Sequence, residues 1–218
     1  KLPFVLIARY LPDSDVDYVG ADNVAGAEMA LDHLLALGHR RIAFLGGPSD
    51  SSARHDRVTG YRNALERHGV MPDEMLSITS PVTREGGYAA LLDLLDLPEP
   101  PTAALCYNDV VAFGTMLSLQ AAGRAPGQDF AIVGFDDIAD AALVHPALTT
   151  VSISPRIGDN LSYFTDCQGQ AGPYFHLVYR AHAFVVFFAF ASLHRGLGSP
   201  EPTNTPPDRW PRPAPRPA

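Results

Sequence analysis

The sequence predicts an α/β fold with a doubly wound parallel sheet, and three observations predict it. Short β-rich runs alternate with helical segments from Leu2 to about Ile153. The runs are unbroken stretches of Val, Ile, Leu, Phe and Ala, without apolar–polar alternation. Glycine or proline stands just past each helical segment. Strands that are apolar throughout belong to a sheet covered on both faces, which helices laid across a parallel sheet provide.

The β-rich runs, in order, are PFVLIA (3–8), DYVGA (17–21), RIAFLG (41–46), MLSIT (75–79), TAALCY (102–107), FAIVGF (130–135) and LTTVSI (148–153). Apolar residues at three-to-four spacing mark four helices between them. The first carries Val24, Ala27, Leu31, Leu34 and Leu35 and stops at Gly38. The second carries Val58, Tyr61, Ala64 and Leu65 and stops at Gly69. The third carries Tyr88, Leu91, Leu92 and Leu95 and closes at Pro98. The fourth runs from about Asp109 through Phe113 and Leu117 to Gly123. A glycine just past the last periodic residue suits the left-handed position that ends a helix. On pattern alone, residues 17–153 form one lobe, and the run at 3–8 belongs either to it or to a neighbouring lobe.

The periodicity fails after about Ile157. Residues 1–160 carry 11 basic and 21 acidic side chains, whereas residues 161–218 carry 5 basic and 3 acidic. Eight of the 20 prolines fall within Pro200–Pro217, so the end of the chain reads as an extended, disordered tail. The longest apolar stretch, AFVVFFAFASL (183–193), is 11 residues, short of the roughly 20 that a membrane helix needs. No signal-peptide pattern opens the chain, and two cysteines do not build a disulfide scaffold, so the reading is cytoplasmic. A formal charge of −8 argues against nucleic acid as the direct partner of this chain.

In an open parallel sheet, ligands meet the carboxyl ends of the strands. The residues that follow each strand are therefore the candidates. After PFVLIA come Arg9 and Tyr10; after RIAFLG come Gly47, Pro48 and a loop, SDSSARHDR, rich in hydrogen-bonding groups, which ends on Arg57. After TAALCY come Asn108 and Asp109, and after FAIVGF come Asp136 and Asp137. An amide, carboxylates and guanidinium forks suit a polyol or sugar, whose hydroxyls donate and accept, better than a phosphate. Each residue also has a plainer reading. Asn108 or Asp109 can simply cap the fourth helix, Asp136 and Asp137 can be turn residues, and Arg57 can be a solvated charge. Glu85, Asp93 and Asp96 read as a solvated helix face, and Cys106 as buried packing.

Enzyme signatures are missing from the sequence. There is no G-x-G-x-x-G after a strand, no Walker A loop, no H-E-x-x-H, no zinc-spaced Cys/His set and no G-x-S-x-G. The reading is a binding protein with no catalytic residues, no metal and no cofactor.

Four segments in order resemble LacI-type (lactose-repressor-like) transcriptional regulators in their effector-binding region. ADNVAGAEMALDHLLALGHRRIAFLGG (21–47) resembles the family's D-N-x-x-G … H-L-x-x-x-G-H-x-x-I-A-x-L-x-G stretch. SSARHDRVTGYRNAL (51–65) resembles its R-x-x-G-[YF] helix start. TAALCYNDVVAFGTMLSLQAAGR (102–124) resembles T-A-x-x-x-x-N-D-x-x-A-x-G. FAIVGFDD (130–137) with HPALTTV (145–151) resembles V-x-G-[FY]-D-D … P-x-L-T-T-[VI].

The resemblance covers about residues 3–156. It implies a periplasmic-binding-protein-like (type I) fold, mainly its C-terminal lobe, with a small effector held between two lobes. Arg57, Asn108 and Asp136 match family positions that contact the effector, and the strand-end rule adds Arg9. Ala8 stands where many members place an acidic contact and Val82 where several place an aromatic platform, which argues against a simple hexose.

The implied domains are 1–20, the last strand and crossing of an incomplete N-terminal lobe; 21–156, the C-terminal lobe; and 157–218, an aberrant or out-of-frame Pro-rich tail. The implied partners are a small-molecule effector, a sugar above all, a second copy of the chain through the exposed side of the 109–122 helix, and operator DNA through a helix-turn-helix absent from this chain. The alternative is a periplasmic sugar-binding protein of the same fold.

Overall fold

The computed structural model describes residues 6–16 and 18–153, with strand segments at 164–165 and 171–172. The 183–193 stretch lies outside the described residues, and so does the expected aberrant tail from 157 apart from 164–165 and 171–172.

The chain order is β1 (Leu6–Ile7), β2 (Tyr18–Val19), α1 (Asn23–Ala36), β3 (Ile42–Leu45), α2 (Ser52–Arg67), β4 (Ser77–Ile78), α3 (Arg84–Leu95), β5 (Ala103–Cys106), α4 (Asp109–Ala121), β6 (Ala131–Asp136), β7 (Thr149–Ser152), β8 (Phe164–Thr165) and β9 (Ala171–Gly172). Each β-rich run and each helical period of the sequence thus yields an element. All four helices begin on a residue whose side-chain oxygen accepts an N–H three residues on: Asp22 from Ala25, Ser51 from Arg54, Thr83 from Gly86 and Asn108 from Val111. At the other end, Gly38, Gly69 and Gly123 adopt positive φ of 93°, 70° and 70°, the helix-stopping conformation that the sequence predicts.

The main sheet has the order β4-β3-β5-β6-β7, all parallel, continued by the short antiparallel β8 and β9. α1 packs against α2, and α3 against α4. Right-handed crossovers then put the two pairs on opposite faces, because β3 leads one way to β4 while β4, β5 and β6 lead the other way. Every residue of β3 and β5 is buried, as expected for strands covered twice. The core runs through Phe44, Leu105, Phe135, Leu31 and Leu91, and Tyr61 of α2 donates its hydroxyl to the Ile42 carbonyl at 2.8 Å. Cys106 is fully buried, while Glu85, Asp93 and Asp96 are exposed.

Two details differ from the sequence pattern. The run at 17–21 does not join the main sheet, because β2 pairs in parallel with β1, Leu6 opposite Tyr18. Pattern alone cannot choose a strand's partner, so of the residues 17–153 the run at 17–21 stands apart from the main sheet. Helix α2 also starts at Ser52, ahead of its first periodic apolar residue, Val58, because Ser51 caps it there. The segment SDSSARHDR is therefore largely helix, and Arg57 sits in its second turn.

Candidate functional site

Strand order reverses between β3 and β5: the chain leaves β3 for β4 on one side, then returns to continue on the other. Loops diverge at such a point and leave a crevice beyond the strands' carboxyl ends. Gly46 and Gly47 leave β3 there, Tyr107 and Asn108 leave β5, and Asp136 ends β6.

Arg57 is the centre of this cluster. It is only 6% exposed, so the reading of a solvated charge fails. Its Nε donates to Asn23 Oδ1 at 2.8 Å, its Nη1 donates to the Tyr107 carbonyl, and its Nη2 faces Asp136 Oδ1 at 3.5 Å. The guanidinium carbon Cζ lies over the Phe135 ring, 3.7 Å from its centroid, and 4.8 Å from that of Tyr107. Arginine suits this place because a planar, delocalised cation can stack on rings while its edge donates in fixed directions. Nη1 and Nη2 each carry a second N–H.

Asp136 ends β6 at a φ of 109°, and Asp137 follows at 56°. Both values are uncommon for residues with a Cβ, and such strain gathers where a side chain must be aimed. Burial raises the pKa of the Asp136 carboxyl, against the lowering effect of Arg57 and of a hydrogen bond from Asn108. Burial likewise lowers the pKa of Arg57, opposed chiefly by Asp136. Each group thus stabilises the charged form of the other.

Asn108, not Asp109, caps α4, with Oδ1 accepting the Val111 N–H at 3.1 Å. Capping and site placement are therefore one arrangement, since the same amide reaches Asp136. Arg9 is exposed and donates to the Tyr107 hydroxyl at 3.5 Å, and its charge is close enough to Arg57 to oppose it. All four residues singled out from the sequence therefore meet in one cluster. Neighbouring Tyr10 docks the same crossing onto α2, its N–H on Ser52 Oγ at 3.1 Å and its hydroxyl on Asp56 at 2.8 Å.

Three residues of the cluster escaped the sequence reading. Tyr107 supplies the carbonyl and ring that hold Arg57, and its hydroxyl meets Ser51 Oγ at 3.2 Å. Asn23 orients Arg57 from α1, and Phe135 floors it. Tyr107 and Phe135 directly precede Asn108 and Asp136, so adjacency was the available signal; Asn23 gave none outside its motif. Of the two departures from the family pattern, Ala8 is exposed with a φ of 66°, and Val82 packs partly against the core.

Known proteins share this framework. A model of the family described as periplasmic binding protein-like domain matches residues 31–158. The chain is 36% identical over 154 residues to the HTH-type transcriptional repressor CytR of Escherichia coli, covering 71% of this chain and 45% of that protein. It is 37% identical over 153 residues to the HTH-type transcriptional regulator CelR of Thermobifida fusca, covering 69% of this chain and 45% of that protein. Among solved structures, a LacI family transcriptional regulator from Enterococcus faecium with bound ribose superposes with a TM-score of 0.64 at 30% identity, covering 70% of this chain and 56% of that one. The chain spans about half the length of the curated relatives it matches. These relatives are transcriptional repressors and regulators, not enzymes. With its parallel sheet, its switch-point cluster and this likeness, the chain belongs to the periplasmic binding protein-like domain family, among the effector-binding regions of LacI-type transcriptional regulators.

Proposed function

We propose that this chain is the effector-binding and dimerisation region of a LacI-type repressor acting in the cytoplasm, and that Arg57, Asn108, Asp136 and Arg9 hold its effector. The observation that carries the proposal is the Arg57–Asp136–Asn108 cluster at the point where strand order reverses. Arg57 and Arg9 donate, Asp136 accepts, and the Asn108 amide donates, which is the set that adjacent hydroxyls of a sugar or similar small polar molecule require. Because Asp136 already balances the charge of Arg57, an uncharged ligand fits better than an anion. The ribose held by the Enterococcus faecium neighbour is in keeping with this class.

Effector bound between two lobes favours one lobe angle, and that population shift alters the spacing of the DNA-reading helices in a homodimer. Operator contact belongs to a helix-turn-helix outside this chain. The dimer face includes the exposed side of α4, where Leu117 is 49% exposed while Val111, Met116 and Leu119 are buried over the sheet. Calorimetric titration of the full-length gene product with a panel of neutral mono- and disaccharides tests the proposal. We expect at least one sugar to bind and Asp136→Ala to weaken it by about tenfold or more, the loss typical of a charged hydrogen-bonding group. Full affinity in the Asp136→Ala protein would overturn the site assignment.

A further inference from the structure

Asp109 opens α4 directly after the Asn108 cap and is only 1% exposed. An acidic residue in a first helical turn is ordinary helix chemistry, but here both carboxylate oxygens reach beyond the helix. Oδ1 accepts the Thr150 hydroxyl of β7 at 2.5 Å, and Oδ2 accepts the Ile138 N–H at 2.9 Å. Ile138 lies in the turn that leaves β6, immediately after Asp136 and Asp137 with their positive φ values of 109° and 56°. Room for this carboxylate depends on Gly134, since a Cβ added there would lie 2.2 Å from Oδ1. Asn108 and Asp109 therefore act on the same turn from two sides, Asn108 on the Asp136 carboxylate and Asp109 on the backbone two residues later.

A carboxylate buried against an amide and a hydroxyl is a costly way to join two strands and a helix. Asp136 and Asp137 are close enough to raise that cost. A carboxylate does, however, accept on both oxygens at once, and the strained turn needs an acceptor held rigidly by the end of α4. We infer that Asp109 is a positioning residue for effector recognition, fixing the Asp136–Ile138 turn so that Asp136 faces Arg57 and Asn108. This rests on the effector site proposed above. Asp109 itself touches no effector.

Asp109→Ala and Asp109→Asn in the whole chain test the inference, because Ala removes both acceptors whereas the Asn carbonyl oxygen can still accept the Ile138 N–H. Residue-resolved amide exchange needs no ligand. In the Ala variant we expect the Ile138 amide to exchange roughly tenfold faster, the effect of one lost hydrogen bond, while amides inside α4 such as Leu119 keep their protection. The Asn variant should restore Ile138. Titration of the full-length protein with D-ribose and with cellobiose supplies the second readout: where wild type binds either, Ala should weaken it by roughly tenfold and Asn should stay near wild type. An unchanged Ile138 amide in the Ala variant, or equal loss of protection throughout α4, would overturn the positioning role. Should wild type bind no sugar of the panel above while Ile138 responds as expected, the sugar class fails and the hold of Asp109 on the turn stands.

Discussion

At the scale of single residues, two buried charges govern the site, and they respond differently to change. Arg57 joins Asn23, Tyr107 and Asp136 and stacks on Phe135. Lysine there keeps the charge but loses the fork and the stacking plane, so Arg57→Lys should behave as a loss of site geometry. Arg57→Ala leaves the Asp136 carboxylate without its buried partner and should cost about 3 kcal/mol of stability in urea unfolding. Asp109 predicts a pH effect of opposite sense to the usual carboxylate. Burial, with Asp136 and Asp137 nearby, raises its pKa from 3.8 to about 6. Between these values the folded state keeps a proton that the unfolded state has released. Its contribution is thus present below pH 4 and is lost as pH rises through 6. Asp109→Asn removes this titration. Relative to wild type, the Asn variant should gain about 3 kcal/mol of stability between pH 4 and pH 7, measured by urea unfolding at each pH.

At the scale of elements, close backbone approach limits what the helices can carry. α3 and α4 approach so closely that a Cβ at Gly114 would lie 1.9 Å from the Arg84 carbonyl, and one at Gly87 would lie 2.1 Å from that of Val111. Neither obstacle is a flexible side chain, so relief requires the helices to separate. Gly114→Ala should therefore destabilise the chain by about 3 kcal/mol, although alanine is the better helix former. Ser118 of α4 offers the opposite case. Its hydroxyl is buried and has no hydrogen-bond partner among the described residues. Ser118→Ala should stabilise by about 1 kcal/mol, read as a shift in urea midpoint without a change in slope.

For the whole molecule, the proposed dimer makes the sharpest prediction, because α4 places its partly exposed Leu117 beside otherwise buried neighbours. Leu117→Glu in the full-length protein should yield monomers by light scattering while leaving the circular dichroism of the fold intact. A dimer that persists would move the interface elsewhere. Much of this molecule was legible without coordinates. Helix stops depend on glycines within a few positions, and strand identity depends on unbroken apolar runs; both are local and legible in the chain, whereas of the capping oxygens only the one that opens α4 stands out in the sequence. The candidate residues were also legible, since strand ends in a parallel sheet converge on one rim. Partner choice was not. Arg57 and Asp136 stand 79 positions apart, and only the strand order brings them to 3.5 Å. Whether β2 joined β1 or the main sheet was equally beyond a pattern that records apolar spacing but no neighbours. The same holds for Asn108 and Asp109, adjacent residues with equal claims to cap a helix. Tertiary packing assigned the cap to Asn108 and turned Asp109 inward toward Thr150 and Ile138. Sequence by itself determined the elements and the rim, because short-range sterics and hydrogen bonding set them. Only the folded structure decided which charges are buried and what each one holds, because desolvation and pairing depend on groups distant along the chain.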